Sequence, residues 1–358
     1  MDVVGGLWRP YLGHGTQPGR VNLKQRKMRV QRPRLRKKGC GARRRGSGAS
    51  VRSDAARCRH RRADVGDSAQ RGFHAALSTG DSRDGRNGGV SRSAVSREAI
   101  EASEAALKKL AERRFEDVDL LVIYIDGMHF GEQCVLAAIG VDGQGRKHVL
   151  ALKEAATENA EASKDLLAQL VSQGVDPKRR RLFVIDGSKA LRTAINAVFG
   201  EHPIQRCRNH KLRNVLGRLP RDQQAQTGSL MRAAWKLGEK EGMNKFRQIA
   251  TWLQPDYPDA ARSLLEGLEE CFNINRLDVP RSLHRCLATS NVVDNPHSGV
   301  RRRTRRVCRW RPGMPARWSA AAFVESQQSY RNLMGYRDLW ALRAILDGSQ
   351  PATRQAVA

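Results

Sequence analysis

The stretch Leu120–Phe130, LLVIYIDGMHF, constrains this chain more than any other. Its six leading apolar residues run unbroken into Asp126-Gly127. That is the pattern of a strand buried on both faces that delivers a carboxylate at its end. A second copy follows at Arg181–Gly187, RLFVIDG, again closing on an Asp-Gly pair, Asp186-Gly187. Asp-Gly is ordinary turn chemistry when met once. Two such strands in one sheet predict carboxylates converging at one edge, where metal-ion chemistry is commonly built.

The elements around the two strands predict an α/β fold. Strands are expected at Leu120–Ile125, Cys134–Val141 and His148–Lys153, the last two joined by Asp142-Gly143-Gln144-Gly145. A helix follows over Thr157–Gln173 with Gly174 as its stop, then a strand at Arg181–Ile185. Ala190–Phe199 is a helix, Pro203–Arg206 a short strand and Asn209–Leu219 a third helix. This order, a hairpin and then alternating helices and strands, argues a mixed sheet with helices on its faces. From Arg221 to about Arg285 only helical patterns occur, at Leu230–Leu237, Met243–Leu253 and Ala260–Phe272, which reads as a helical insertion. Beyond it, Ser290–Val307 is polar and arginine-rich, and Ala316–Tyr330 is helical.

Charge narrows the function. A net charge of +29 over 358 residues predicts a polyanionic partner, of which nucleic acid is the commonest. A membrane is the alternative, but no apolar run reaches the ~18 residues of a spanning helix and no signal peptide is evident, so cytoplasmic, nucleoid-associated residence is expected. Seven cysteines at irregular spacings do not form a disulfide framework. Residues 1–88 are basic, rich in Gly, Ser and Arg and without hydrophobic period, so this part is expected to be disordered. Gly89–Phe115 reads either as the second half of a helix-turn-helix or as a plain connector helix. In the first case Ser91 caps it, and Arg92, Ser93, Ser96 and Arg97 face DNA.

Two hard cations held ~3.5–4 Å apart need more oxygen ligands than two aspartates supply, so a third carboxylate is required. After the helical insertion the candidates are Asp294, Glu325 and Asp338. Asp294 stands just ahead of RRRTRRVCRW, Arg301–Trp310, the densest basic cluster of the folded part. Helical spacing there would line up Arg301, Arg302, Arg303, Arg305, Arg306 and Arg309 for phosphate contact, with Trp310 free to stack on an unpaired base. Cys207 and His210 have the C-x-x-H spacing of half a zinc site. Cys271, His284 and Cys286 fit no familiar second half, so no zinc is expected.

These segments together resemble the mutator-type DDE transposases of bacterial insertion sequences. The resemblance rests on YIDGMHFGEQCVLAAIGVDGQGRKHVL, VIDGSKALRTAI, PIQRCRNHKLRNV and ATSNVVDNPHSGVRRRTRRVCRW, with FVESQQSYRNLMGYRDLW behind, in that order from about Gly89 to Leu346. It implies an RNase H-like catalytic domain interrupted by a helical insertion. Asp126 and Asp186 are then the first two catalytic and metal-binding carboxylates, Asp294 the third, and Cys207 and His210 belong to a C-x-x-H motif that is not a zinc site. The implied cofactor is a pair of Mg²⁺ ions, with Mn²⁺ as substitute. The implied partners are DNA, as terminal inverted repeats and target, and further copies of the chain in a homo-oligomeric DNA complex.

The chain departs from the family pattern twice. Family members similar to it carry Glu-Ser where Asp294-Asn295 stands, and Asp is one methylene shorter. The resemblance also lapses over about residues 40–87, whose composition is what off-frame reading of a GC-rich gene would give. The expected organisation is a basic remnant over 1–88, a helical DNA-binding or connector segment over 89–117, a first part of the catalytic core over 118–220, the helical insertion over 221–286, the last part of the core over 287–346 and a tail to 358. The expected activity is DNA cleavage and strand transfer, impaired by these departures. A DNA-end-binding remnant without catalysis and an RNase H-like nuclease without strand transfer are the alternatives.

Overall fold

A computed structural model describes residues 11–23, 26–37, 92–155, 160–307 and 309–348. The chain divides into two compact units, Met1–Ala102 and Ser103–Ala358. In the first unit β1 (Tyr11–Leu23) and β2 (Arg26–Lys37) pair as an antiparallel hairpin, from Leu23 opposite Arg26 to Tyr11 opposite Lys37. This corrects the expectation of disorder for these residues. Backbone pairing across a two-residue connection needs no hydrophobic period, because the closure entropy is small. The ladder shifts register between Gly13 and Thr16, opposite Pro33, which has no N–H to offer. The expected disorder of residues 1–10, 24–25 and 38–88, the family-unlike interval included, lies outside the described residues, as do the start of the expected helical segment with Ser91 and the tail from 349. Helix α1 spans Arg92–Ala111.

The second unit is built on a five-stranded sheet in the order β5-β4-β3-β6-β7. Its strands are β3 (Leu120–Phe130), β4 (Gln133–Asp142), β5 (Lys147–Ala155), β6 (Leu182–Ile185) and β7 (Ile204–Arg206). β3 pairs antiparallel with β4 and β4 with β5, while β3–β6 and β6–β7 are parallel, so the sheet is mixed as its element order predicts. The two parallel pairings are reached through α2 (Ala160–Ser172) and α3 (Lys189–Val198).

β3 is the central strand and is covered on both faces, which is why its apolar run is unbroken. Ile123 and Ile125 pack towards Leu166, Leu167 and Leu170 of α2 and Leu191 and Ile195 of α3. Val122, Tyr124, Met128 and Phe130 face the other layer. That layer is α10 (Arg281–Leu287), α11 (Asn291–Thr304), α12 (Met314–Ser326) and α13 (Leu339–Leu346), which contribute Leu283, Val293, Val300, Phe323 and Leu342. Each such side chain taken from water stabilises by roughly 1.5–3 kcal/mol.

Between α4 (Arg208–Leu216) and α10 the described chain is wholly helical: α5 (Arg221–Ala234), α6 (Glu239–Leu253), α7 (Pro258–Leu265), α8 (Leu268–Cys271) and α9 (Asn273–Arg276). With Val215 and Leu219 these helices close around their own core of Met231, Phe246, Leu253, Leu264 and Phe272. The single helix expected over Ala260–Phe272 is broken in two. Glu266 turns extended and Gly267 takes φ +59°, a conformation no helix continues through.

Two further differences bear on the site. β3 does not stop at Asp126-Gly127 but runs to Phe130, because Met128 and Phe130 continue the buried alternation and pair with Val135 and Gln133. Helix α11 ends at Thr304, whose hydroxyl bonds back to the Val300 carbonyl while the Val307 amide folds onto Thr304. The run Arg301–Trp310 is therefore not one helical face.

Candidate active site

Strand register brings the first two carboxylates together. Tyr124 lies opposite Val184 in the parallel β3–β6 pair, so two residues on Asp126 stands opposite Asp186. Both share the side-chain parity of Val122 and Tyr124 and of Leu182 and Val184, which places them on the face covered by α11. Ile185 lies opposite Arg206 in turn, and the Cys207 amide donates to the Ile185 carbonyl at 2.7 Å. Cys207 thus completes a row, Asp126, Asp186, Cys207, across three adjacent strand positions.

Asp126 is only 8% exposed. Burial pushes its carboxyl up to about 6; Asp186 and Asp294 push the same way, while His210 and the Gly127 amide oppose. The three expected carboxylates are therefore electrostatic neighbours. Asp186 follows the last residue of β6 and accepts from the Ser188 amide at 2.9 Å. Ser188 in turn caps α3 through Leu191. Gly187, between them, is fixed twice over: its φ is +105°, and a Cβ there would meet Arg206 Nε at 2.2 Å. Asp294 lies in the first turn of α11 and is exposed. The other two candidates for the third carboxylate are engaged elsewhere. Glu325 pairs with Arg303 at 2.9 Å, and Asp338 accepts from Ser282.

Histidine 297, one helical turn beyond Asp294 and 1% exposed, puts Nδ1 3.9 Å from Asp126 Oδ2. Burial, assisted by Arg301, takes its pKa down to about 3, so the imidazole is neutral at any working pH. Its Nε2 has no hydrogen-bond partner among the described residues. Nothing in the sequence signals His297, because an isolated His on a polar helix carries no pattern. Ser290 is equally unsignalled, except as a generic helix cap.

Cys207 is fully buried at the start of α4, and Ser290 donates to its sulfur from both amide and hydroxyl, at 3.3 and 3.4 Å. Burial raises the thiol, but hydrogen bonds from His210 and Ser290 outweigh it and leave the pKa below its usual value. The hydrogen bond with Cys207 raises His210, against burial, and Asp126 adds to the rise. Of the residues considered for a second zinc half-site, His284 bonds the Val279 carbonyl and Cys286 the Met334 carbonyl, while Cys271 is buried in the core of the helical segment.

Asp126, Asp186 and Asp294 offer carboxylate oxygens, the ligands hard divalent cations select, with the His297 Nδ1 nitrogen 3.9 Å from Asp126. Burial, with smaller repulsion from Asp186 and Asp294, raises Asp126, and a bound cation would offset both. Among the described residues, however, no three His, Cys, Asp or Glu side chains already form a metal-holding group.

The expected DNA contacts are placed as follows. Ser93, Ser96 and Arg97 are exposed along α1, and Arg92 is its first residue. Arg301 and Arg302 are exposed in the last turn of α11, Arg303 is held by Glu325, and Arg305, Arg306 and Arg309 are exposed beyond the helix end. Trp310 is half-buried, edge-on to Phe130 at 4.8 Å and to Trp318 at 6.4 Å between ring centroids. Its ring is thus part of the packing against the end of β3. No helix among the described residues is long and apolar enough to cross a membrane.

Residues 86–324 match the family model described as Transposase, Mutator family. The transposase for insertion sequence element ISRM5 of Rhizobium meliloti (strain 1021) is 31% identical over 211 residues, 56% of this chain and 52% of that protein. The transposase for IS6120 of Mycolicibacterium smegmatis is 26% identical over 231 residues, 62% and 69% of the two chains. That for IST2 of Acidithiobacillus ferrooxidans is 26% identical over 174 residues, 48% and 58%. The chain thus spans between about half and two thirds of the length of these relatives.

Proposed function

Because the chain belongs to the Mutator family of transposases, we propose that it cuts DNA at insertion-sequence ends and joins the freed strand to a target, by phosphoryl transfer at Asp126, Asp186 and Asp294. The observation that carries this reading is the coupling of the three carboxylates. They come from three elements separated widely in sequence, yet Asp186 and Asp294 both raise the buried Asp126. In the DDE reading these residues would hold two Mg²⁺ ions, which Mn²⁺ can replace. When bound, such ions acidify an attacking water or 3′-hydroxyl and neutralise charge on the leaving oxygen.

The chain's own groups prepare that chemistry. The β3–β4 ladder holds Asp126 opposite Ala137, and the Ser188 amide orients Asp186. The hydrogen bond with Cys207 raises His210 against burial, and a protonated His210 would lower the cost of ionising Asp126. Arg301, Arg302, Arg305, Arg306 and Arg309 supply phosphate contacts that fix the duplex without reading its sequence. Arg92 and Arg97 on α1 would grip the terminal repeat. Bringing two ends together calls for a homo-oligomer in the DNA complex.

One observation favours a second reading, an end-binding protein impaired in cutting: Asp294 is exposed and the three carboxylates do not yet form a metal-holding group. Incubating the full chain and Mn²⁺ with a supercoiled plasmid carrying the gene and its two flanks separates the readings. Strand cleavage near the flanks, lost in Asp126→Asn and Asp186→Asn, is expected. Binding that retards the plasmid without any cleavage would leave the second reading standing.

A further inference from the structure

Each residue of the segment Cys207-Arg208-Asn209-His210 touches one of Ala288, Ser290 and Asn291, at the entry to α11. The Arg208 amide donates to the Ala288 carbonyl at 2.9 Å. The Ser290 amide and hydroxyl donate to Cys207 Sγ at 3.3 and 3.4 Å. Asn209 Nδ2 donates to Asn291 Oδ1 at 2.7 Å, and His210 Nδ1 lies 3.5 Å from Ser290 Oγ. On its other side the segment is bonded to the sheet, the Cys207 amide to the Ile185 carbonyl at 2.7 Å, one residue before Asp186. The first turn of α11 lacks the usual support. Ser290 occupies its cap position yet makes no side-chain cap bond, its hydroxyl being turned to the sulfur and His210 instead.

We propose that residues 207–210 are a clasp that fixes the start of α11, and with it Asp294, against the strands carrying Asp126 and Asp186. This rests on the three-carboxylate reading. The four are positioning residues: they act on the reaction only through the helix they hold. Cys207 serves as an acceptor of two hydrogen bonds, a task an oxygen can perform, and neither a metal nor a redox change is required of it. Val292 and Val293 also pack the helix start on the sheet core, but apolar packing makes no directional bond to its first turn. Orientation of the third carboxylate is therefore set locally by this contact, and removing an acceptor strands two buried donors on Ser290.

The test uses the full chain and compares Cys207→Ala, Cys207→Ser and Ser290→Ala with the natural form. Amide hydrogen exchange of residues 291–295 is measured without DNA or metal, and cleavage of the flank-carrying plasmid is titrated with Mn²⁺. Cys207→Ala should speed exchange in that turn roughly tenfold and raise the Mn²⁺ needed for half-maximal cleavage about tenfold, the usual effect of losing support behind a ligand. Cys207→Ser should restore both. Ser290→Ala, which removes only a hydroxyl, gives the same reading in smaller measure should Cys207→Ala not fold. Unchanged exchange at 291–295 in both Cys207→Ala and Ser290→Ala overturns the clasp, whatever cleavage does. If exchange responds but the natural form never cleaves, the clasp stands and the three-carboxylate reading falls.

Discussion

Lengthening Asp294 by one methylene, in Asp294→Glu, is the sharpest perturbation the structure offers. The residue sits in the first turn of α11, close enough to Asp126 to raise its carboxyl, yet exposed and outside any preformed ligand group. One further carbon adds about 1.5 Å of bond length to the reach of the carboxylate from the helix. Sites of this kind tolerate displacements of only ~0.5 Å, and a misplacement of ~1 Å costs about 10²-fold in rate. Asp294→Glu should therefore raise the initial rate of plasmid cleavage by about 10²-fold, equivalent to ~2.7 kcal/mol of barrier. It should also lower the Mn²⁺ needed for half-maximal rate. The assay is the rate of nicked and linear product formation at saturating protein, with Mn²⁺ varied. Equal rates for the two proteins would show that the shorter carboxylate already reaches its place, and the reasoning from side-chain length would be wrong.

Other expectations follow from charge and backbone. Asp126 titrates near 6 in the folded chain against 3.8 ordinarily, so its contribution to stability is fully present below pH 3.8 and is lost as pH rises through 6. Without metal, Asp126→Asn should then stabilise the protein by up to ~3 kcal/mol at pH 7.5, the gain vanishing towards pH 4; a pH-independent difference in thermal melting would contradict this. Replacing Arg301, Arg302 and Arg305 together by Ala should flatten the slope of log affinity for plasmid DNA against log salt by about 3. An unchanged slope would remove these side chains from the interface. Gly187→Ala, with φ at +105° and Arg206 Nε 2.2 Å from the new methyl, should cost more than ~1 kcal/mol in urea unfolding; a neutral result would show that Arg206 moves aside freely.

The sheet was legible because its signal is period and composition: a strand buried on both faces has to be apolar at every position, and Leu120–Ile125 is. Where β3 ends was not legible, because Asp-Gly is as common in a turn as within a ladder, and the deciding residues, Met128 and Phe130, stand beyond it. The aspartates could be picked out from their strands, and their pairing follows from a register that no single strand displays. Trp310 reads in the sequence as part of a basic run, yet its ring packs on Phe130, 180 residues earlier, a contact no local pattern announces. Ser290 and His297 were hidden for the same reason, since each matters through a neighbour distant in the chain, Cys207 or Asp126.

The interval between Asp186 and Asp294 has a consequence for biosynthesis. Chains emerge from the ribosome N-terminus first and fold as their elements become available. Strands β3 to β7, with Asp126 and Asp186 facing one another, are complete before any of α5–α9 is made, and Asp294 follows only after all five. A nascent or prematurely terminated chain thus carries strands with two carboxylates and no third, and lacks the basic run Arg301–Arg309 as well. Whatever cutting power the finished protein has is withheld until translation has passed α11.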